Sequence, residues 1–137
     1  MTARERAVVE ELFDEANGDL AIGDLESAVE RYRKCVELDP GFFDGWHALG
    51  MALMKTGDVN GAIGAALQAT TLRPNDLLAW TALCQMFVQN GQIAEAEDAK
   101  SKARILSLGG RIVREAPASR EAGLGSDPSG EQTPENS

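Results

Sequence analysis

The sequence predicts an all-α array of three helical hairpins, and three observations carry that reading. Residue types recur with a period of 34: Gly23, Gly57 and Gly91; Ala28, Ala62 and Ala96; Cys35, Ala69 and Ala103; Pro40 and Pro74; Trp46 and Trp80. Within each period apolar residues fall at helical spacing, a Gly-containing turn interrupts, and a second helical run follows. The chain has 137 residues, 43% of them hydrophobic, enough to bury one core. A hairpin of this size cannot cover its own apolar face, so three of them must stack.

Thr2-x-x-Glu5 has the pattern of a capping box and starts the first helix early. Val8, Leu12, Ala16 and Leu20 form an i, i+4 row on that helix. Asn17-Gly18 is a turn dipeptide, but the register places the turn at Gly23, so the helix is expected to run through it. The second helix carries Leu25, Ala28, Val29, Tyr32 and Val36. In the middle unit Trp46, Leu49, Gly50 and Leu53 precede Gly57-Asp58, and Asp58 is the expected N-cap of a helix bearing Ile63, Ala66 and Ala69. Pro74-Asn75 ends that helix, with Asn75 as the expected cap of the next. Trp80, Leu83, Cys84 and Phe87, the turn at Asn90-Gly91, and Ile93, Ala96 and Ala103 repeat the plan. Ala16, Gly50 and Cys84 are expected to face Ala28, Ala62 and Ala96, because large side chains in both columns would force the hairpins open.

These columns set the expected organisation: residues 1–110 as a three-repeat domain, with repeats at about 9–42, 43–76 and 77–110. Gly109-Gly110 should end the last repeat helix. Residues 111–116 could add one turn of helix, and 117–137, rich in Gly, Ser, Pro and Glu, read as a disordered tail.

Trp46-x2-Leu49-Gly50-x2-Leu53 with Ala62 and Pro74 resembles a tetratricopeptide repeat. Trp80-x2-Leu83-Cys84-x2-Phe87 with Ala96 resembles a second, and Gly23, Ala28, Tyr32 and Pro40 a third. Leu12 and Glu15 stand where later units have Trp and Leu, Ala66 and Lys100 replace an aromatic, and Leu108 replaces Pro. The resemblance implies a right-handed superhelix and a non-catalytic protein-binding module, an adaptor, scaffold or assembly factor. Its concave groove would be lined by the first helix of each unit.

In that register the groove side shows Glu10, Phe13, Asn17 and Leu20, then Asp44, His47, Met51 and Met54, then Leu78, Thr81, Gln85 and Val88. Its floor is apolar, and the polarizable methionines suit a helical or extended peptide of a partner protein. For Phe13, Leu20 and Met54 the inter-repeat core is an equally good place. The family's clamp for the C-terminal carboxylate of Hsp70 or Hsp90 is not expected. Asn17 fits it, but Phe13, Ala48, Leu78 and Ala82 stand where cations and polar partners belong, and an uncharged floor cannot pair a carboxylate.

A second surface is marked by charge. The second helix of the first unit turns Glu26, Glu30, Arg31, Arg33, Lys34 and Glu37 outward, and that of the last unit Glu95, Asp98 and Lys102. The middle unit offers Asn60, Gly61, Gly64, Ala65, Leu67, Gln68 and Thr71, without a charge. Cover by neighbouring helices accounts for this strip, and the alternative is a homodimer face at Gly61, Gly64, Ala65, Leu67 and Gln68.

Composition narrows the function classes. With 13 Lys+Arg against 22 Asp+Glu the net charge is −9, which disfavours nucleic acid and anionic membrane surfaces as partners. One histidine, His47, and two cysteines, Cys35 and Cys84, provide no paired metal ligands, and no nucleotide-binding glycine motif occurs. No catalytic residue, metal or cofactor is therefore expected, and His47 reads as a surface contact. Cys35 and Cys84 lie more than one repeat apart and are expected to stay unpaired. The N-terminus has no apolar run of a signal peptide, so a reducing cytoplasm is the expected compartment. Sparse Lys beside abundant Ala and Gly points to a bacterial source.

Overall fold

The computed structural model describes residues 1–112, and they form six helices: α1 (Ala3–Ala21), α2 (Leu25–Leu38), α3 (Phe43–Thr56), α4 (Val59–Leu72), α5 (Leu77–Gln89) and α6 (Ile93–Ser107). The second helices begin at Leu25, Val59 and Ile93, one repeat apart, so the sequence period is the structural period. Helices pair as α1 with α2, α3 with α4 and α5 with α6, and the hairpins stack through α2 on α3 and α4 on α5. The result is an all-α helical-repeat solenoid. Of the expected extension over 111–116 and the tail over 117–137, only Arg111 and Ile112 are among the described residues, and neither is helical.

Each hairpin turn is built the same way. Gly23, Gly57 and Gly91 have φ of 83°, 92° and 76°, a left-handed conformation that favours glycine. Their N–H groups donate to Leu20, Met54 and Val88, and the next N–H donates to Asp19, Leu53 and Phe87, which closes the first helix in a Schellman motif. Asp24 and Asp58 then cap α2 and α4 by accepting from the Ser27 and Gly61 N–H groups. Thr2 and Glu5 form the capping box on α1, whose helix runs unbroken through Asn17-Gly18.

Between hairpins the two tryptophans occupy equivalent sites. Trp46 Nε1 donates to the Pro40 carbonyl and Trp80 Nε1 to that of Pro74, each at 2.8 Å. At the α4–α5 corner the expected cap is corrected. Asp76, not Asn75, accepts from the Ala79 N–H at 3.0 Å. Asn75 Oδ1 instead accepts from the Ile112 N–H at 2.6 Å and fastens the chain leaving α6 to this corner. That chain has already left the repeat register, because Gly109 (φ 87°) and Gly110 close α6 with the turn used elsewhere after first helices.

One core runs through the array, and Ala16, Ala28, Tyr32, Leu49, Ala62, Leu83, Met86 and Ala96 all belong to it. Small residues allow the helices to approach. A Cβ on Gly50 would lie 3.4 Å from the Ala62 carbonyl and 3.4 Å from Met86 Cε, and one on Gly45 would lie 3.1 Å from Val36 Cγ1. The α1 row is corrected in one place. Val8 is exposed, and its neighbour Val9 is buried and accepts the Cys35 thiol hydrogen at its carbonyl. The end faces are polar: exposed Glu11 and Glu15 stand where α3 buries Gly45 and Leu49, and exposed Glu97, Lys100 and Arg104 where α4 buries Ile63, Ala66 and Thr70.

Candidate functional site: the cleft between the first helices of the second and third hairpins

Facing turns of α3 and α5 leave a cleft of about 500 Å³ lined by Met51, Met54, Ala82, Cys84, Gln85, Met86, Val88 and Gln89. Met51 with Met54 and Gln85 with Val88 are i, i+3 pairs at equivalent positions of the repeat, so each pair shares one helix face and the two faces lie side by side. None of the eight is charged. Met51 is 38% and Val88 53% exposed, whereas Met86 is buried and forms the floor. Exposed apolar side chains over a buried apolar floor can take up a partner's apolar side chain, and the two glutamines offer amide hydrogen bonds at the rim.

Four of the residues read from the sequence as a groove, Met51, Met54, Gln85 and Val88, come together here. The others lie around or outside the cleft. Leu78, 70% exposed, and Asp44 stand in the first turns of α5 and α3. His47 stacks on the Phe43 ring at 5.9 Å with 10° between the planes, and Arg73 lies over that ring at 4.3 Å. Thr81 returns its hydroxyl hydrogen to the Leu77 carbonyl at 2.9 Å.

In the first hairpin the same register positions are used inside the fold. Phe13 packs on Tyr32 at 5.7 Å and edge-on to Phe42 at 5.1 Å, and Leu20 packs against the core. Asn17 Oδ1 accepts from the buried Tyr32 hydroxyl, a bond between α1 and α2. The sequence reading missed Ala82, Cys84, Met86 and Gln89. Cys84, expected from its column to pack in the hairpin, is half-buried against the core and also lines the cleft. The signal for Met86 was its place three residues after Leu83 on the buried face.

The two thiols differ. Burial pushes Cys35 up to about 11, because a thiolate there would lose its hydration. Both cysteines are free. Among the described residues no group of His, Cys, Asp and Glu could hold a metal ion, and no helix is long and apolar enough to cross a membrane.

On the convex side the homodimer strip needs one correction. Ala65 is 3% exposed and belongs to the core, because Gly50 of α3 lies against that face of α4. Gly61 is half-covered beside the Asp58 carboxylate, and Gly64, Leu67 and Gln68 do face outward.

Comparison with known proteins agrees with the repeat and the fold. Models of the tetratricopeptide repeat match residues 43–86 and 20–42. A TPR repeat-containing protein of Pseudomonas aeruginosa is 44% identical over 50 residues, which is 36% of this chain and 48% of that protein. Among solved structures, MamA superposes with a TM-score of 0.71 at 18% identity, covering 74% of this chain and 59% of MamA. A MamA mutant gives 0.71 at 27% identity over 76% and 57% of the two chains, and the CopN–Scc3 complex 0.70 at 20% over 72% and 58%. The chain thus spans about half the length of the curated relative and under two thirds of these structures. Tetratricopeptide repeats serve as protein–protein interaction modules and are typically non-catalytic. This chain is a tetratricopeptide-repeat protein.

Proposed function

We propose that the protein recognises a partner protein by taking an apolar peptide or helix into the concave cleft between α3 and α5, as an adaptor or assembly factor without catalysis of its own. The observation that carries this reading is the uncharged α3–α5 cleft, in which exposed Met51 and Val88 rise above buried Met86. Partner chemistry follows from the lining. Apolar side chains at helical or alternate spacing fill the floor, and a C-terminal carboxylate finds no cation there. Asn17, the residue that fits a carboxylate clamp, already accepts from Tyr32.

Peptide display against the purified chain tests this. Enriched ligands should carry two or more apolar side chains, and Met51→Glu combined with Val88→Glu should abolish their capture while the thermal transition is kept. Selection of ligands rich in carboxylates, or capture unaffected by the double change, would refute it.

A further inference from the structure

We propose that two copies of this chain associate through the convex side of the middle and last hairpins, the Leu67 side chain of each copy entering a cleft on the other. The cleft lies where α4, α5 and α6 meet, has a volume of about 430 Å³, and is lined by Leu67 of α4, by Trp80, Leu83 and Phe87 of α5, and by α6 from Ala94 to Lys102. Leu67 is 45% exposed. The positions one repeat before and after it are Arg33 and Ser101, so an exposed leucine on this face is peculiar to the middle unit. An apolar knob beside an apolar socket on one face is self-complementary under a two-fold axis, which sets each knob against the other copy's socket.

Charge selects the occupant. The cationic and anionic groups at the rim already have partners: Lys102 Nζ lies 2.6 Å from Asp98 Oδ2 and 5.0 Å from the Trp80 ring centre, and Glu95 accepts from Gln92 at 3.3 Å. The exposed side of α4 next to it, at Asn60, Gly64, Leu67 and Gln68, carries no charge in a chain of net charge −9. A strongly cationic partner gains more at the exposed carboxylates of α1 than here. The exposed α4 strip of a second copy brings no charge to the contact and supplies the apolar side chain that the socket takes. Nothing lies within 4 Å of the place where a Cβ on Gly64 would stand, so a second α4 can cross there closely. The two clefts share α5 but no lining residue, so changes at Leu67 and Gly64 leave the lining of the concave cleft untouched.

Sedimentation velocity of the full chain from micromolar to millimolar concentration decides it. The expected result is a monomer–dimer equilibrium whose dissociation constant rises about tenfold or more in Leu67→Lys. Gly64→Arg, placed in open space in the monomer, should weaken the dimer likewise, with the circular dichroism spectrum kept in both variants. Glu30→Lys, at the equivalent position of the first hairpin, should leave it unchanged. A monomer throughout the range, or a dimer as tight in Leu67→Lys and Gly64→Arg as in the wild type, would overturn the proposal.

Discussion

Between α1 and α2 the contact is made by large and polar side chains: Tyr32 reaches Asn17, Arg31 reaches Asp19 and Glu15, and Phe13 lies against Tyr32. Between α3 and α4 the positions of Asn17, Arg31 and Tyr32 hold Met51, Ala65 and Ala66, and Gly50 stands where α1 has Ala16, close to the Ala62 carbonyl. The period is the same and both hairpins close on a small-residue pair, but the first adds large and polar contacts that the second lacks. In the first hairpin the side chains that could face a partner are used up in holding the hairpin shut. In the second, closure needs almost no side chain, so Met51 and Met54 are left over to line the cleft. This is why the candidate site sits between the second and third hairpins and not between the first and second.

The largest expected effect falls on the small-residue hairpin. Gly50→Leu must displace the Ala62 backbone and Met86, and should cost about 3 kcal/mol of stability, read as a lower midpoint in chemical denaturation. A loss no greater than that of Tyr32→Phe would break the contrast between the two hairpins.

The first hairpin should show its polar closure in pH dependence. Cys35 ionises near 9 when unfolded and at about 11 when folded, so the folded state holds the proton more tightly. Stability is therefore full below pH 9 and falls as pH rises towards 11, by on the order of 2 kcal/mol from this group. Burial raises Tyr32 as well, which adds to the alkaline loss. Denaturation midpoints at pH 8 and pH 10.5 should differ less in Cys35→Ala than in the wild type. An equal difference would remove Cys35 from this role.

Tyr32→Phe takes away the bond to Asn17 but leaves the ring. Asn17 is exposed and can turn to water, so the cost should be about 1 kcal/mol. Arg31→Ala should have the smallest effect, about half that of Tyr32→Phe and reduced at high salt, because Arg31 and Glu15 are solvated and Asp19 alone is largely covered.

The sequence made the period legible, and with it all three hairpin turns, the helix through Asn17-Gly18 and the equivalence of Trp46 and Trp80. Local chemistry that depends on a distant neighbour was harder to see. Asn75 and Asp76 are both good caps, and the choice between them turns on Ile112, far along the chain. Ala65 looks outward if α4 is taken alone and is buried where Gly50 of α3 packs on it. The groove was half-legible for the same reason. Register placed Met51, Met54, Gln85 and Val88 on one side, but only packing shows that Phe13 and Asn17 are engaged by Tyr32.

The most direct test is methyl-detected NMR of the chain titrated with a peptide selected for binding. The methyl signals of Met51, Met54 and Val88 should move together while that of Leu67 stays in place. A titration in which Leu67 moves and the two methionines do not would put recognition on the wrong side of the solenoid and contradict the assignment of the concave cleft.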